Sequence, residues 1–157
     1  MIVVVFIILL RIILNKIYIT MQILKETLQK EGLRYTKQRQ EIWDELRSSD
    51  KHRDAEEICI TLRKRGLNIS RATVYRTIEM LVKNNLIDKL EIGDGRARYE
   101  YNDKYLHHDH LICSNCGKII EFRNSEIEKL QEKIARQINF KLLHHSHRLF
   151  GVCKDCQ

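Results

Sequence analysis

From Met21 onward, apolar residues recur first at helical spacing and then at strand spacing. Ile23, Leu24 and Leu28 predict a helix that stops at Gly32, with Leu33 packing just beyond it. Thr36 is placed to cap a second helix whose Ile42, Trp43 and Leu46 face inward. Asp54, with Glu57 three residues on, has the pattern of a capping box. The helix it opens carries Ile58, Ile60 and Leu62 and ends near Gly66. Ser70 is a good cap for a fourth helix. There Val74, Ile78, Leu81 and Val82 make one apolar stripe, while Ala72, Arg76, Glu79 and Lys83 fall on the opposite face. After Leu86 the period becomes two, through Leu90 and Ile92 and then Ala97, Tyr99 and Tyr101. Asp94-Gly95 between them is a type I′ turn signal, so the pattern predicts a β-hairpin.

From about Asp103 the order reads strand, strand, helix, strand. Leu111 and Ile112 precede Cys113, and Lys118 to Phe122 is a second extended run. Ile127, Leu130 and Ile134 recur at helical spacing within 125–137. Phe140, Leu142 and Leu149 then lead towards the end of the chain. The fold class expected is α+β: an N-terminal winged helix-turn-helix over 21–102, then a small α/β domain over 103–157. In a winged helix the fourth helix is the candidate for the major groove and the hairpin is the wing. A small α+β domain in which Arg76 is merely solvated has the same pattern.

Residues 1–20 are a different material. Ile2 to Leu10 is an unbroken apolar run, interrupted only afterwards by Arg11 and Lys16. A secretory signal would need a basic start and a small-residue cleavage site, and this stretch has neither. A spanning helix wants about 20 mostly apolar residues, and Arg11 at its middle would cost roughly 2.5–3.5 kcal/mol. The preferred expectation is that Met21 is the true start and the preceding stretch an upstream translation artefact. In that case no membrane partner is expected. A membrane-tethered metal-binding protein is the reading that depends on the segment.

Charge and chemistry-bearing residues narrow the picture. The 157 residues hold 28 Lys and Arg against 21 Asp and Glu, a formal +7, which fits an anionic partner such as nucleic acid. Omitting Arg11 and Lys16 takes that +7 to +5. Four of the five cysteines form two pairs, Cys113-Ser-Asn-Cys116 and Cys153-Lys-Asp-Cys156. A CxxC turn presents two sulfurs to one ion, and four thiolates suit tetrahedral zinc in a closed, structural site. Two local disulfides are the alternative, disfavoured in the reducing, cytoplasmic compartment that the lack of a persuasive signal peptide suggests. Cys59, in an apolar helix stretch, reads as a small core residue. His107-His108-Asp109-His110 forms a second cluster, with Glu100 upstream, Glu121 downstream, His52 far away and His144, His145 and His147 near the end. In a strand His108 and His110 share one side, and His107 and Asp109 the other, so one segment can feed two metal sites. Imidazole and carboxylate without thiolate suits Fe²⁺, Mn²⁺, Zn²⁺ or Co²⁺ without choosing among them. The chain has no HExxH or nucleophile motif, so an enzyme is not expected.

The sequence resembles the ferric uptake regulator family. The resemblance is carried by Arg34-Tyr35-Thr36-Lys37-Gln38-Arg39, by His52-Arg53-Asp54-Ala55-Glu56-Glu57-Ile58 and by Ile69-Ser70-Arg71-Ala72-Thr73-Val74-Tyr75-Arg76-Thr77. It continues through Tyr99-Glu100, His107 to Cys113 and Cys116 to Phe122, and covers 21–157. It implies a homodimeric repressor of iron-uptake genes that binds an operator in double-stranded DNA when Fe²⁺ is plentiful. By the same resemblance Cys113, Cys116, Cys153 and Cys156 hold structural zinc. The regulatory site would be His52, Glu100, His108, His110 and Glu121, with Fe²⁺, or Mn²⁺ or Zn²⁺, as the ion. An additional site would draw on His107, Asp109, Glu128 and His145. Arg71, Thr73, Tyr75 and Arg76 are the expected DNA-binding residues. The peroxide-sensing branch typically carries aspartates where Glu100 and Glu121 stand. The zinc-sensing branch usually adds a cysteine to the sensing site, and none lies between 60 and 112. Manganese sensing stays open as an alternative beside those two.

Overall fold

The computed structural model describes residues 2–49, 52–93, 95–102 and 108–157, with the backbone alone at 2–10, 12–14 and 16–17. The chain separates into two compact units, Met1–Leu90 with Ala97–Asn102, and Glu91–Arg96 with Asp103–Gln157.

The first unit is built from four helices and the stem of a hairpin. Helix α1 spans Ile2–Lys30, α2 Lys37–Ser48, α3 Ala55–Lys64 and α4 Arg71–Lys83. Each of the last three begins where a side chain accepts a hydrogen bond from the backbone two or three residues on. Thr36 accepts from the Arg39 N–H, and Ser70 from the Thr73 N–H. Asp54 and Glu57 form a reciprocal capping box. Helix α1 stops at Gly32, whose φ of 66° lets the chain turn back so that the Leu33 N–H reaches the Leu28 carbonyl at 2.8 Å. At its other end α1 runs continuously through Met21, because 2–31 contains neither proline nor glycine to interrupt it. The Trp43 indole N–H donates to the Thr20 carbonyl at 3.3 Å, so contact with α2 also reaches past Met21. Among the described residues no helix is long and apolar enough to cross a membrane.

The core of this unit gathers Leu24, Leu28, Ile42, Trp43, Leu46, Ile58, Leu62, Val74, Ile78, Leu81 and Ile87, all buried. Ile60, expected inward, is instead exposed, and Cys59 takes the buried place. At about 100° per residue a helix that buries 58 and 62 turns 59 towards the same side and 60 away from it. Strands β1 (Ile87–Glu91) and β2 (Ala97–Tyr101) pair as a two-stranded sheet. Gly93 and Gly95 both adopt positive φ at its tip, while Asp94 of the expected turn lies outside the described residues. Leu90 and Tyr99 are buried. The tip, Glu91–Arg96, groups with the second unit.

The second unit has a three-stranded sheet in the order β4-β3-β5, with β3 Asp109–Cys113, β4 Ile119–Phe122 and β5 Arg148–Gly151. Strand β3 pairs antiparallel with β4 and parallel with β5. Helix α5 (Ser125–Gln137) starts at Asn124, whose side chain accepts from the Glu126 and Ile127 N–H groups. The register aligns Ile120, Leu111 and Leu149 in one row across the three strands. All three are exposed, at 45, 41 and 40%. Leu130 and Ile134 of α5 are exposed as well, so the helix's apolar stripe is not spent on the unit's own core.

Candidate metal centres and nucleic-acid face

The four paired cysteines converge. Cys113 ends β3, Cys116 follows it on a turn closed by the Gly117 N–H to the Cys113 carbonyl, and Cys153 and Cys156 bracket a short 3-10 turn, Lys154–Cys156. Gly117, at φ 71°, lets that turn fold tightly; a Cβ there would come within 3.1 Å of Ile92 Cδ1. All four sulfurs lie within 4.8 Å of one another. The Cys116 and Cys153 sulfurs are 3.7 Å apart, too far for a disulfide, and all five cysteines are free thiols. Zinc–sulfur bonds of about 2.3 Å at tetrahedral angles would set sulfurs about 3.8 Å apart, so the donor set fits zinc.

The electrostatics of the cluster point the same way. The Cys153 N–H donates to the Cys113 sulfur at 3.3 Å, and with the Cys116 N–H it pulls the Cys113 thiol down to about 6. The thiols of Cys116 and Cys153 push Cys156 up to about 12, and burial raises Cys153. One negative charge is easily held here and the last is costly, an imbalance that a divalent cation removes. Asp155 and Lys118 pair beside the cluster at 2.9 Å, which lowers the carboxyl and raises the ammonium.

A second group in this unit joins Asp109 of β3, Glu128 of α5 and His145, whose ligand atoms also lie within 4.8 Å of one another. His145 Nε2 stands 3.7 Å from Asp109 and 3.4 Å from Glu128. Asp109 is buried, and His147 Nδ1 approaches its other oxygen at 3.9 Å. His107, expected at this site, lies outside the described residues. His108 and His110 have their rings 5.2 Å apart, edge to face, and His108 Nε2 is 3.9 Å from Glu121. Glu121 is the β4 partner of His110 in the register.

The first unit brings together His52 and Glu100, with Nε2 2.6 Å from Oε2 and both side chains largely withdrawn from solvent. Their approach is fixed by an isolated antiparallel bridge between the neighbouring residues, Arg53 and Tyr99. Expectation from sequence missed what lies behind it. Arg53 and Arg65 both pair with Glu45, buried on α2. The available signal was a carboxylate at an inward position of a helix whose other inward residues are Ile42, Trp43 and Leu46.

On α4, Tyr75 and Arg76 are exposed. Arg71 is exposed too, and its guanidinium donates to Glu56 of α3 at 2.7 Å. Thr73 is half-buried, its hydroxyl 2.9 Å from that of Ser70 in the helix cap.

A helical unit with a paired hairpin, followed by a small sheet with a four-thiol cluster whose spacing fits a metal ion, is the architecture of a winged-helix regulator of the metal-binding class. The chain belongs to the ferric uptake regulator family, whose model matches residues 30–150. It is 42% identical over 134 residues to the ferric uptake regulation protein of Campylobacter jejuni, covering 84% of this chain and 85% of that one. Its fold is similar to the ferric uptake regulator of Helicobacter pylori, a structure described as having three functional metal-binding sites. The TM-score is 0.81 at 39% identity, over 87% of this chain and 91% of that one. The ferric uptake regulator of Pseudomonas aeruginosa, solved with manganese, is similar at a TM-score of 0.72 and 33% identity, over 83% and 97% of the two chains.

Proposed function

We propose that this chain is a cytoplasmic, metal-dependent transcriptional repressor, responding to Fe²⁺ and controlling iron-uptake genes as a homodimer on operator DNA. The 21–102 region is the DNA-binding domain, and 103–157 the metal-binding dimerisation domain. Zinc on Cys113, Cys116, Cys153 and Cys156 stabilises the latter. The observation that carries the reading is that each unit holds its own imidazole and carboxylate set, His52 with Glu100 in one and His108, His110 and Glu121 in the other. A single ion bound by both sets ties the two domains into one orientation. Asp109, Glu128 and His145, with His107, form an additional site. The exposed row of Ile120, Leu111 and Leu149 supports the homodimer, because a contiguous apolar sheet face of this kind marks a surface for association.

The mechanism is linkage. If the metal-bound orientation spaces two copies of α4 to match successive major grooves, metal and DNA each tighten the other's binding, typically by about 1–3 kcal/mol. Arg71, Thr73, Tyr75 and Arg76 belong to the DNA-reading helix; Tyr75 and Arg76 are its exposed contacts, while Thr73 serves its cap. The donor set does not choose among divalent ions, so the decisive experiment is an anaerobic titration with Fe²⁺, Mn²⁺ and Zn²⁺ separately. It follows binding to duplexes selected from random-sequence DNA, after the structural zinc has been counted. Tightest DNA binding at physiological Fe²⁺ is the expected result; a response to Mn²⁺ or Zn²⁺ alone would replace iron with that ion. His108→Ala is expected to abolish the response while leaving a folded, zinc-loaded dimer, and a full response from that variant would refute the mechanism.

A further inference from the structure

The feature of the first unit that this mechanism leaves unused is a buried ionic clamp. Glu45 sits on the inward side of α2 with 4% of its side chain exposed. Arg65 reaches one of its carboxylate oxygens at 2.6 Å, and Arg53 pairs with the other. The second terminal nitrogen of Arg53 donates to the Glu57 carbonyl at 3.0 Å and to the Thr61 hydroxyl. One guanidinium is therefore fastened to α2 and α3 together, a task that its planar fork performs and an ammonium does not. The backbone of the same residue exchanges two hydrogen bonds with Tyr99, at 3.2 and 2.8 Å. His52 precedes Arg53 in the chain and Glu100 follows Tyr99, so the two proposed ligands flank the clamped bridge. On the far side of Glu100, the Tyr101 ring packs edge-on against Trp43 at 5.5 Å with Arg47 beside both.

We propose that Arg53, held by Glu45, is a positioning residue for the regulatory metal. It presets His52 and Glu100 before the ion arrives. The proposal rests on the reading of those two residues as ligands. A buried pair of this kind adds little net stability, because desolvation offsets the attraction, but it fixes geometry. Without the clamp, the residues just ahead of the α3 cap would have to be ordered by the metal itself, and affinity would fall by that cost. Because the clamp grips α2 and α3, the two helices on which α4 packs, metal binding at His52 and Glu100 is also mechanically continuous with the DNA-reading helix.

The test uses full-length, zinc-loaded protein in a His145→Ala background, which disables the proposed additional site, carrying Arg53→Lys or Thr61→Val, with Co²⁺ as the probe and its visible d–d absorption as the readout. Both variants should keep the parent's structural zinc. Co²⁺ affinity should fall roughly 10- to 100-fold in Arg53→Lys, the usual consequence of losing an outer-sphere support, and less in Thr61→Val. The band shape should change with the affinity. Ile78→Val, a core change on α4 that lowers the melting temperature and alters no residue of the clamp, should leave Co²⁺ affinity at the parent's value. A folded Arg53→Lys protein that binds Co²⁺ with the parent's affinity overturns the proposal. If Arg53→Lys does not fold, Thr61→Val decides by the same criterion. His52→Ala separates the two levels. Parental Co²⁺ binding by that variant would remove the ligand assignment itself, whereas its loss beside an unaffected Arg53→Lys would remove the positioning role alone.

Discussion

Leu111 lies at the centre of the exposed row on the second unit, between Ile120 on β4 and Leu149 on β5, and 41% of its surface is open to water. Complete burial of a leucine is worth about 1.5–3 kcal/mol. Covering the remaining two-fifths in a dimer therefore contributes about 0.6–1.2 kcal/mol per protomer. Both copies lose it in Leu111→Ala, about 1.2–2.4 kcal/mol, which raises the dimer dissociation constant roughly 8- to 60-fold. Leu111→Asp should go further, since an unpaired carboxylate must then be dehydrated in the interface. Sedimentation equilibrium across a concentration series measures the constant directly. Zinc content and far-ultraviolet dichroism establish that each protomer is still folded. A folded, zinc-replete Leu111→Asp protein with the parent's dissociation constant would show that this face does not join the subunits.

Three further outcomes follow from the geometry. Cys113→Ser removes the thiol that the Cys153 and Cys116 N–H groups lower to about 6; it should lower both zinc content and melting temperature, as chelation does to the parent, and an unshifted melt would deny the cluster a structural role. Arg76→Ala should weaken DNA binding and reduce its salt dependence without altering metal affinity, and unchanged binding would remove Arg76 from the contact set. Glu31 is held below its ordinary value of 4.5 by hydrogen bonds from Lys83 and then Asn84. A depressed carboxyl stabilises the fold above its unfolded value and loses that contribution as pH falls through the folded one. Thermal melts from neutral pH down through and below 4.5 should therefore fall less steeply in Glu31→Gln than in the parent, and parallel curves would contradict the pairing.

Much of the fold is legible in the sequence because its signals are local. The caps at Thr36, Asp54 and Ser70 need only the residues that follow them, and the stripe through Val74, Ile78 and Leu81 needs only its own helix. The cysteine pairs announce themselves by spacing, and a strand's alternation is enough to send Asp109 towards Glu128 and His145 while His108 and His110 stay together. What escapes is whatever depends on a distant partner. Contact beyond Met21 is one case, since the Trp43 indole N–H on α2 donates to the Thr20 carbonyl, 23 residues away in the chain. Leu130 and Ile134 have the spacing of core residues and yet face solvent, since periodicity marks a face as apolar without saying which molecule covers it.

The clamp on Arg53 shows the same limit more sharply. Glu45, Thr61 and Tyr99 come from three separate elements, and no window of sequence contains them together. The functional consequence differs from that of the ligands themselves. A motif records which side chains can hold an ion, and those must be present in any chain that does so. On the proposed assignment, how tightly the ion is held depends on whether His52 and Glu100 wait in place or must be gathered, which packing around the buried Glu45 carboxylate would decide. Two chains with identical ligand sets can therefore answer to different metal concentrations, with the difference residing in residues that never touch the metal.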